Sequence, residues 1–329
     1  MASAIDPATF ATPDAPRSIS RSVPRSDRIF QGMSATAAVS SLVIIGTTAL
    51  FLVVKAEPVL AKVGIVDFVT KSEWNPGFER YGVLGLVGGT VLIASIALVV
   101  GVPLAIGLAL FVNEYAPARV RRLLVSAIDL LAAMPSLLFG IWGYFALRGT
   151  LEGTSRWFAD HLSAIPFFRI PPDAQLTKSG FAVGVVVGLM IMPIVTSVSR
   201  DVMAQCPREQ CEGALALGGS RWGMIRAVIL PFSRSGMVGA TLLGFGRALG
   251  ETIAIAIMIT LTISTNTRVL TAGGGSIAAW IATKFGEAGE LERSALVAAG
   301  LALFLLTLGV NLAARRIVNR ARSRTGLGL

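Results

Sequence analysis

The sequence predicts an all-α polytopic membrane protein with six transmembrane helices, and three observations carry that reading. Hydrophobic residues make up 53% of the 329 positions and charged residues only 15%, where an ordinary soluble domain carries roughly 25% charge. The mean hydropathy is +0.71. The apolar residues also fall in blocks of about 20 or more, the length a helix needs to cross a ~30 Å hydrocarbon layer. A soluble enzyme and a disordered chain are both excluded.

Residues 1–33, rich in Pro, Ser, Ala and Arg, lack the apolar periodicity that offsets ordering entropy and are expected to form a disordered cytoplasmic tail. The first apolar run, 34–55, is long enough to span and reads as a retained helix rather than a cleaved signal. An external loop, 56–81, follows, and then a transmembrane domain over 82–314 with spans at 82–112, 123–147, 180–199, 232–263 and 294–314. Residues 315–329 form a basic cytoplasmic tail. The blocks at 82–112 and 232–263 are too long for a simple crossing, so they must tilt, break or protrude. Gly101 and Pro103 interrupt the first, while Gly244, Gly246 and Gly250 soften the second. Such irregular helices line a path in transporters, and Gly and Pro also serve as plain packing residues between membrane helices.

Six spans put both termini on one side. That side and its loops carry 17 Lys and Arg against 11 in the opposite loops, with seven acids against ten. Cytoplasmic loops retain Lys and Arg preferentially, so both termini and the 200–234 segment are predicted to be cytoplasmic. The net charge of +10 then reflects topology and attraction to anionic membrane lipid, not a nucleic-acid surface.

The segment between the fourth and fifth spans, SRDVMAQCPREQCEGALALGGSRWGMIRAVILPFSRSG, is the most informative. Pro207 stands at a plausible helix start, good helix formers run to Leu217, and Gly218 with Gly219 stop the helix in the manner of a left-handed cap. A second short helix is expected from Ser220, as its cap, to Leu230, with Pro231 ending it. An amphipathic helix-turn-helix outside the membrane suits docking into a groove of another protein. DNA binding is rejected, because both ends are tethered to spans.

Glu212, Gly213 and Ala214, three residues, Gly218, nine residues, then Val228, Ile229, Leu230 and Pro231 resemble the EAA-x3-G-x9-I-x-LP motif of binding-protein-dependent ABC importer permeases. Gly213 and Val228 depart from the usual Ala and Ile while keeping size or apolar character. The stretches SEWNPGFERYGVLGLVGGTVLIAS (72–95), LLAAMPSLLFGIWGYF (130–145) and GRALGETIAI (246–255) are similar to the phosphate-specific permeases of the Pst system, the PstC-type subunit in particular. The resemblance runs from about Asp67 to Arg316. It implies a type I ABC importer (MetI-like) permease fold and a coupling helix around Glu212–Gly218 that inserts into the ATPase. It also implies three partners: a second permease (PstA-type), an ATPase dimer (PstB-type) that uses ATP and Mg, and an external phosphate-binding protein (PstS-type).

The chain contains no G-x-x-x-x-G-K-[ST] and no Gly-Lys pair, so no P-loop cradles a nucleotide and no enzymatic role is expected. Gly273–Ser276 lacks the strand–loop–helix context of a phosphate nest and reads as a flexible external turn. Arg247 and Glu251 are four residues apart in the fifth block, which would place them on one helical face and let them pair. Ionisable residues in a membrane usually face a cavity or a partner. Two readings stay open: Arg247 offers a cation to a passing anion while Glu251 holds it in the empty path, or the pair only fixes packing. Asp129 reads as a packing or interfacial residue, His161 as a surface histidine, and Cys206 and Cys211 as reduced thiols short of the ligands a zinc site needs. No metal or cofactor site is expected in this chain. Molybdate or sulfate permeases share the coupling motif and remain alternatives for the substrate. An ion-coupled secondary transporter is the alternative from another class, but it would call for more intramembrane carboxylates than Asp129 and Glu251.

Overall fold

The computed structural model describes residues 25–171, 176, 178–263 and 268–323; the expected disorder of 1–24 and the tail beyond 323 lie outside them. By its contacts the chain divides into Met1–Leu50 and Phe51–Leu329. The described part of the first unit is helical, and its side chains from Ser26 to Thr48 are exposed. Thr36, Ser41 and Thr48 donate their hydroxyl protons to the carbonyls of Gly32, Ala37 and Ile44, one turn back, which satisfies them without water. This stretch belongs to α1 (Arg25–Val63). The helix therefore opens at Arg25 rather than at 34, and residues 25–33 are not an unstructured tail. Asp27 in its first turn favours that early start through the helix dipole.

In the second unit, α1 carries Pro58, which has no N–H to give the ladder. Ser294 compensates from another helix. Its hydroxyl donates to Lys55 O at 2.7 Å and accepts from Val59 N at 3.3 Å, so it sits inside the hydrogen bond that those two groups would share in an unbroken helix. The expected external loop is a small structured cap: α2 (Ile65–Thr70), then β1 (Trp74–Asn75) paired antiparallel with β2 (Arg80–Tyr81). Trp74 meets Tyr81 and Trp280 edge-on and donates its indole N–H to Glu292 at 3.0 Å.

Helix α3 (Leu84–Leu110) passes through Gly101 and Pro103 without ending, then widens into a π-helical turn at Phe111–Tyr115. The expected straight span 123–147 is a bent pair, α4 (Ala118–Ala133) and α5 (Ser136–Ala146), meeting at 100°. Pro135 is the cause: it disfavours helical geometry at the preceding residue, and Met134 is extended at ψ 137°. Then come α6 (Arg148–His161), α7 (Gly180–Ala204), α8 (Arg208–Ala216), α9 (Arg221–Met224) and α10 (Leu230–Leu249). The chain ends with α11 (Ile253–Met258), α12 (Ile277–Lys284) and α13 (Glu290–Ser323). Five helical stretches are long and apolar enough to cross a membrane, and the bent α4–α5 pair makes a sixth if it counts as one span.

The core lies along α3 and α7. A Cβ on Gly101 would stand 2.4 Å from Gly188 O, so only glycine lets these two backbones come so close. Thr196 of α7 donates to Ala105 O of α3 at 3.3 Å as well as to its own helix. Phe139 and Leu249 join Val183, Val186, Met190 and Ile191 in one buried cluster, which brings α5 and α10 onto the same pair.

Candidate functional site

Two places matter, and α10 belongs to both. The first is the segment after α7. Pro207 precedes α8, whose last turn ends at Gly218 with φ +83°; Gly218 N–H donates to Leu215 O at 3.0 Å and Gly219 N–H to Ala214 O at 3.2 Å. This is the left-handed cap that the glycine pair foretold. Ser220 caps the next helix by accepting from Gly223 N at 3.1 Å. Pro231, however, does not terminate it. The chain runs from α9 through a π-helical turn at Ile225–Ile229 straight into α10, with Pro231 in that helix's first turn. The wider turn leaves room where a proline ring would otherwise meet the carbonyl four residues back.

Glu212, Gly213 and Gly218 are exposed, Ala214 and Leu230 are half-buried, and Ile225 and Ile229 are buried with Met203 and Met224. The motif's apolar end thus anchors the segment and its acidic end faces outward. Leu217 is 92% exposed at the tip. Sequence reading passed it over because it lies at the helix end, where periodicity no longer assigns a face. Arg221 sits over the ring of Tyr115 at 5.5 Å, which fastens the second half of the turn to the end of α3's π-helical turn. Cys206, just before α8, and Cys211, within it, lie 3.8 Å apart, sulfur to sulfur. Burial, the hydrogen bond to Cys211, and the charges of Cys211 and Glu114 push the Cys206 thiol up to about 11.

The second place is the end of α10. The structure does not bring Arg247 and Glu251 together: α10 ends at Leu249, Gly250 caps it, and Glu251 lies in the break before α11. Four-residue spacing pairs side chains only along an unbroken helix, and Gly250 breaks this one. Glu251 is 6% exposed, and its carboxylate accepts the N–H of Ala254 at 3.1 Å, closing the first turn of α11. Ser276 reaches its carbonyl at 3.5 Å. Arg247 is exposed, lines a hollow of about 680 Å³ beside α13, and makes no ion pair among the described residues.

The remaining expectations resolve simply. Asp129 accepts from Ser197 at 3.4 Å and ties α4 to α7, a packing role. His161 is exposed and stacks on Trp157. Gly273–Ser276 is a structured turn: Gly274 N–H donates to Thr262 Oγ1 at 2.7 Å, and Ser276 accepts from Ala279 N at 3.1 Å to start α12. No group of three or more metal-ligating side chains occurs among the described residues.

Residues 101–323 match the family described as the binding-protein-dependent transport system inner membrane component. The chain is 41% identical over 300 residues to phosphate transport system permease protein PstC 2 of Mycobacterium tuberculosis, covering 89% of this chain and 92% of that protein. It is 35% identical over 307 residues to the PstC protein of Xylella fastidiosa, covering 92% and 93%. Among solved structures it resembles a chain of a bacterial alginate ABC transporter in complex with an alginate pentasaccharide-bound periplasmic protein, at TM-score 0.60 and 16% identity over 92% of this chain and 97% of that one. That likeness speaks for the fold alone. The family match over most of the chain, with identities near 40% over nine-tenths of its length, places the chain among the binding-protein-dependent transport inner membrane components, in the branch of the PstC phosphate permeases.

Proposed function

We propose that this chain is one of two permease subunits of an ATP-driven phosphate importer, forming half of the translocation path and coupling to a separate ATPase through Glu212–Pro231. The observation that carries the reading is the α8–Gly218 turn, exposed between two spans in a chain whose relatives are phosphate permeases. A PstA-type permease completes the path, a PstB-type ATPase dimer receives α8 and uses ATP and Mg, and an external PstS-type protein delivers phosphate. The Lys and Arg asymmetry supports cytoplasmic termini. A Ser163→Cys variant should then label with an impermeant thiol reagent in intact cells while Ser220→Cys does not.

Arg247 meets the anion, and its lack of a fixed carboxylate partner suits that role. Glu251 seats α11 and so shapes the path without holding the guanidinium. Uptake of labelled phosphate in membranes containing the full complex tests the assignment. Uptake that needs the ATPase and resists competition by molybdate and sulfate is expected. Preference for either oxyanion would move the chain to another substrate branch, and uptake without the ATPase would make it an ion-coupled carrier.

A further inference from the structure

The hollow beside Arg247 has a second charged wall. α10 contributes Ser235 and Arg247, and α13 contributes Asn311 and Arg315; the rest of the lining is apolar or glycine. No carboxylate lines it, and Arg315, like Arg247, makes no ion pair among the described residues. Both guanidinium groups carry forked N–H donors that match the edge of a tetrahedral oxyanion, and neither has a carboxylate in the hollow to occupy them. The lining along α10 from Ser235 to Arg247 covers about 18 Å at 1.5 Å per residue. With no membrane-crossing helix between them among the described residues, α10 and α13 cross in opposite directions, so Arg315 lies toward the Ser235 end and Arg247 toward the other. The polar groups are therefore strung along the hollow.

We infer that Arg315, with Asn311 and Ser235, is a second binding station for the oxyanion, on the cytoplasmic side of Arg247. This rests on the reading that Arg247 meets the anion. A single deep cation must bind strongly enough to attract its ion and weakly enough to release it; a second station relaxes that conflict, because the ion leaves the first site for another of similar chemistry. Asn311, one turn before Arg315, adds an amide donor on the same face of α13. The same donor set also fits the phosphate of a lipid headgroup, so the two sources must be separated by experiment.

In the assembled complex, in a phosphorus-free sugar detergent, phenylglyoxal modification of Arg315 is followed by peptide mass spectrometry. Inorganic phosphate, but not chloride at equal ionic strength, should slow the reaction at both Arg315 and Arg247. Protection of Arg315 only when phospholipid is added would make it a headgroup anchor and overturn the proposal. In proteoliposomes Arg315→Gln should lower labelled phosphate uptake about tenfold, Arg315→Lys should be intermediate, and Arg316→Gln, outside the lining, should match wild type. Wild-type uptake in Arg315→Gln alongside lost uptake in Arg247→Gln would remove the second station and leave the path reading intact. Wild-type uptake in both would remove the two together. If Arg315→Gln fails to assemble, Arg315→Lys and Asn311→Leu decide: wild-type uptake in both overturns the proposal.

Discussion

Replacing Gly218 with valine places a β-branched side chain at φ +83°. A Cβ built there meets nothing within 4 Å, so the perturbation is purely conformational and repacking plays no part. The left-handed region costs an L-residue roughly 1–2 kcal/mol, most for β-branched side chains. Strain of that size tilts the turn away from its present shape by about 5–30-fold. Phosphate-stimulated ATP hydrolysis by the assembled complex in proteoliposomes should fall by a comparable factor, while membrane insertion and subunit recovery stay normal. Asparagine tolerates this conformation, so Gly218→Asn should retain most of the rate and Gly218→Ala should fall between. Gly213 supplies the control: it lies within α8 in open space, and Gly213→Ala should leave coupling intact while favouring the helix by up to about 1 kcal/mol. Wild-type hydrolysis from Gly218→Val would refute the reasoning. So would an asparagine variant as damaged as the valine one, since backbone strain would not then be the cause.

Leu217→Ser removes the exposed apolar tip; if that tip is buried in the ATPase, affinity for the isolated ATPase should weaken about tenfold or more, measured by co-purification titration, and an unchanged affinity would show that the tip stays in solvent. Ser294→Ala leaves Lys55 O and Val59 N–H without their bridge where Ser294 is only 8% exposed; detergent-unfolding assays should show a loss of about 1–3 kcal/mol, and unaltered stability would mean that α1 heals the break alone. Cys206, pushed up to about 11, should alkylate at pH 8 about 200-fold more slowly than an ordinary thiol with pKa near 8.5, and accelerate as pH approaches 11. Because the folded state favours the protonated thiol, its contribution to stability is present below the free-thiol range and lost as pH rises toward 11. Rapid labelling at pH 8 would show that the thiol is neither buried nor bonded as described.

Local signals were the readable ones. Gly218, Ser220 and Pro207 act through their own backbone dihedrals or a hydrogen bond three residues away, so their roles follow from residue type and spacing. Features set by a break in the helix were less accessible. An apolar block counts residues and is blind to direction, which hid the turn that Pro135 imposes at Met134. The Arg247–Glu251 spacing assumed that Gly250 would stay helical. Pro231 was misplaced because a π-helical turn leaves no periodic trace. The hollow's second arginine was invisible for a different reason: Arg315 sits 68 residues after Arg247, in what reads as an ordinary basic flank of a last span, and only the meeting of α10 with α13 gives it a neighbour.

The π-helical turn has a mechanical consequence. It allows one helical rod, 29 residues from Arg221 to Leu249, to carry both the second half of the exposed turn and Arg247. At 1.5 Å per residue the rod is about 43 Å long, so a tilt of about 10° pivoting at one end moves the other by about 7 Å. No loop intervenes to absorb the movement. Motion delivered at Ser220 therefore arrives at Arg247 as a displacement of the guanidinium itself, so if the exposed turn takes up the ATPase's movement and Arg247 meets the anion, lever and cation are one piece of secondary structure.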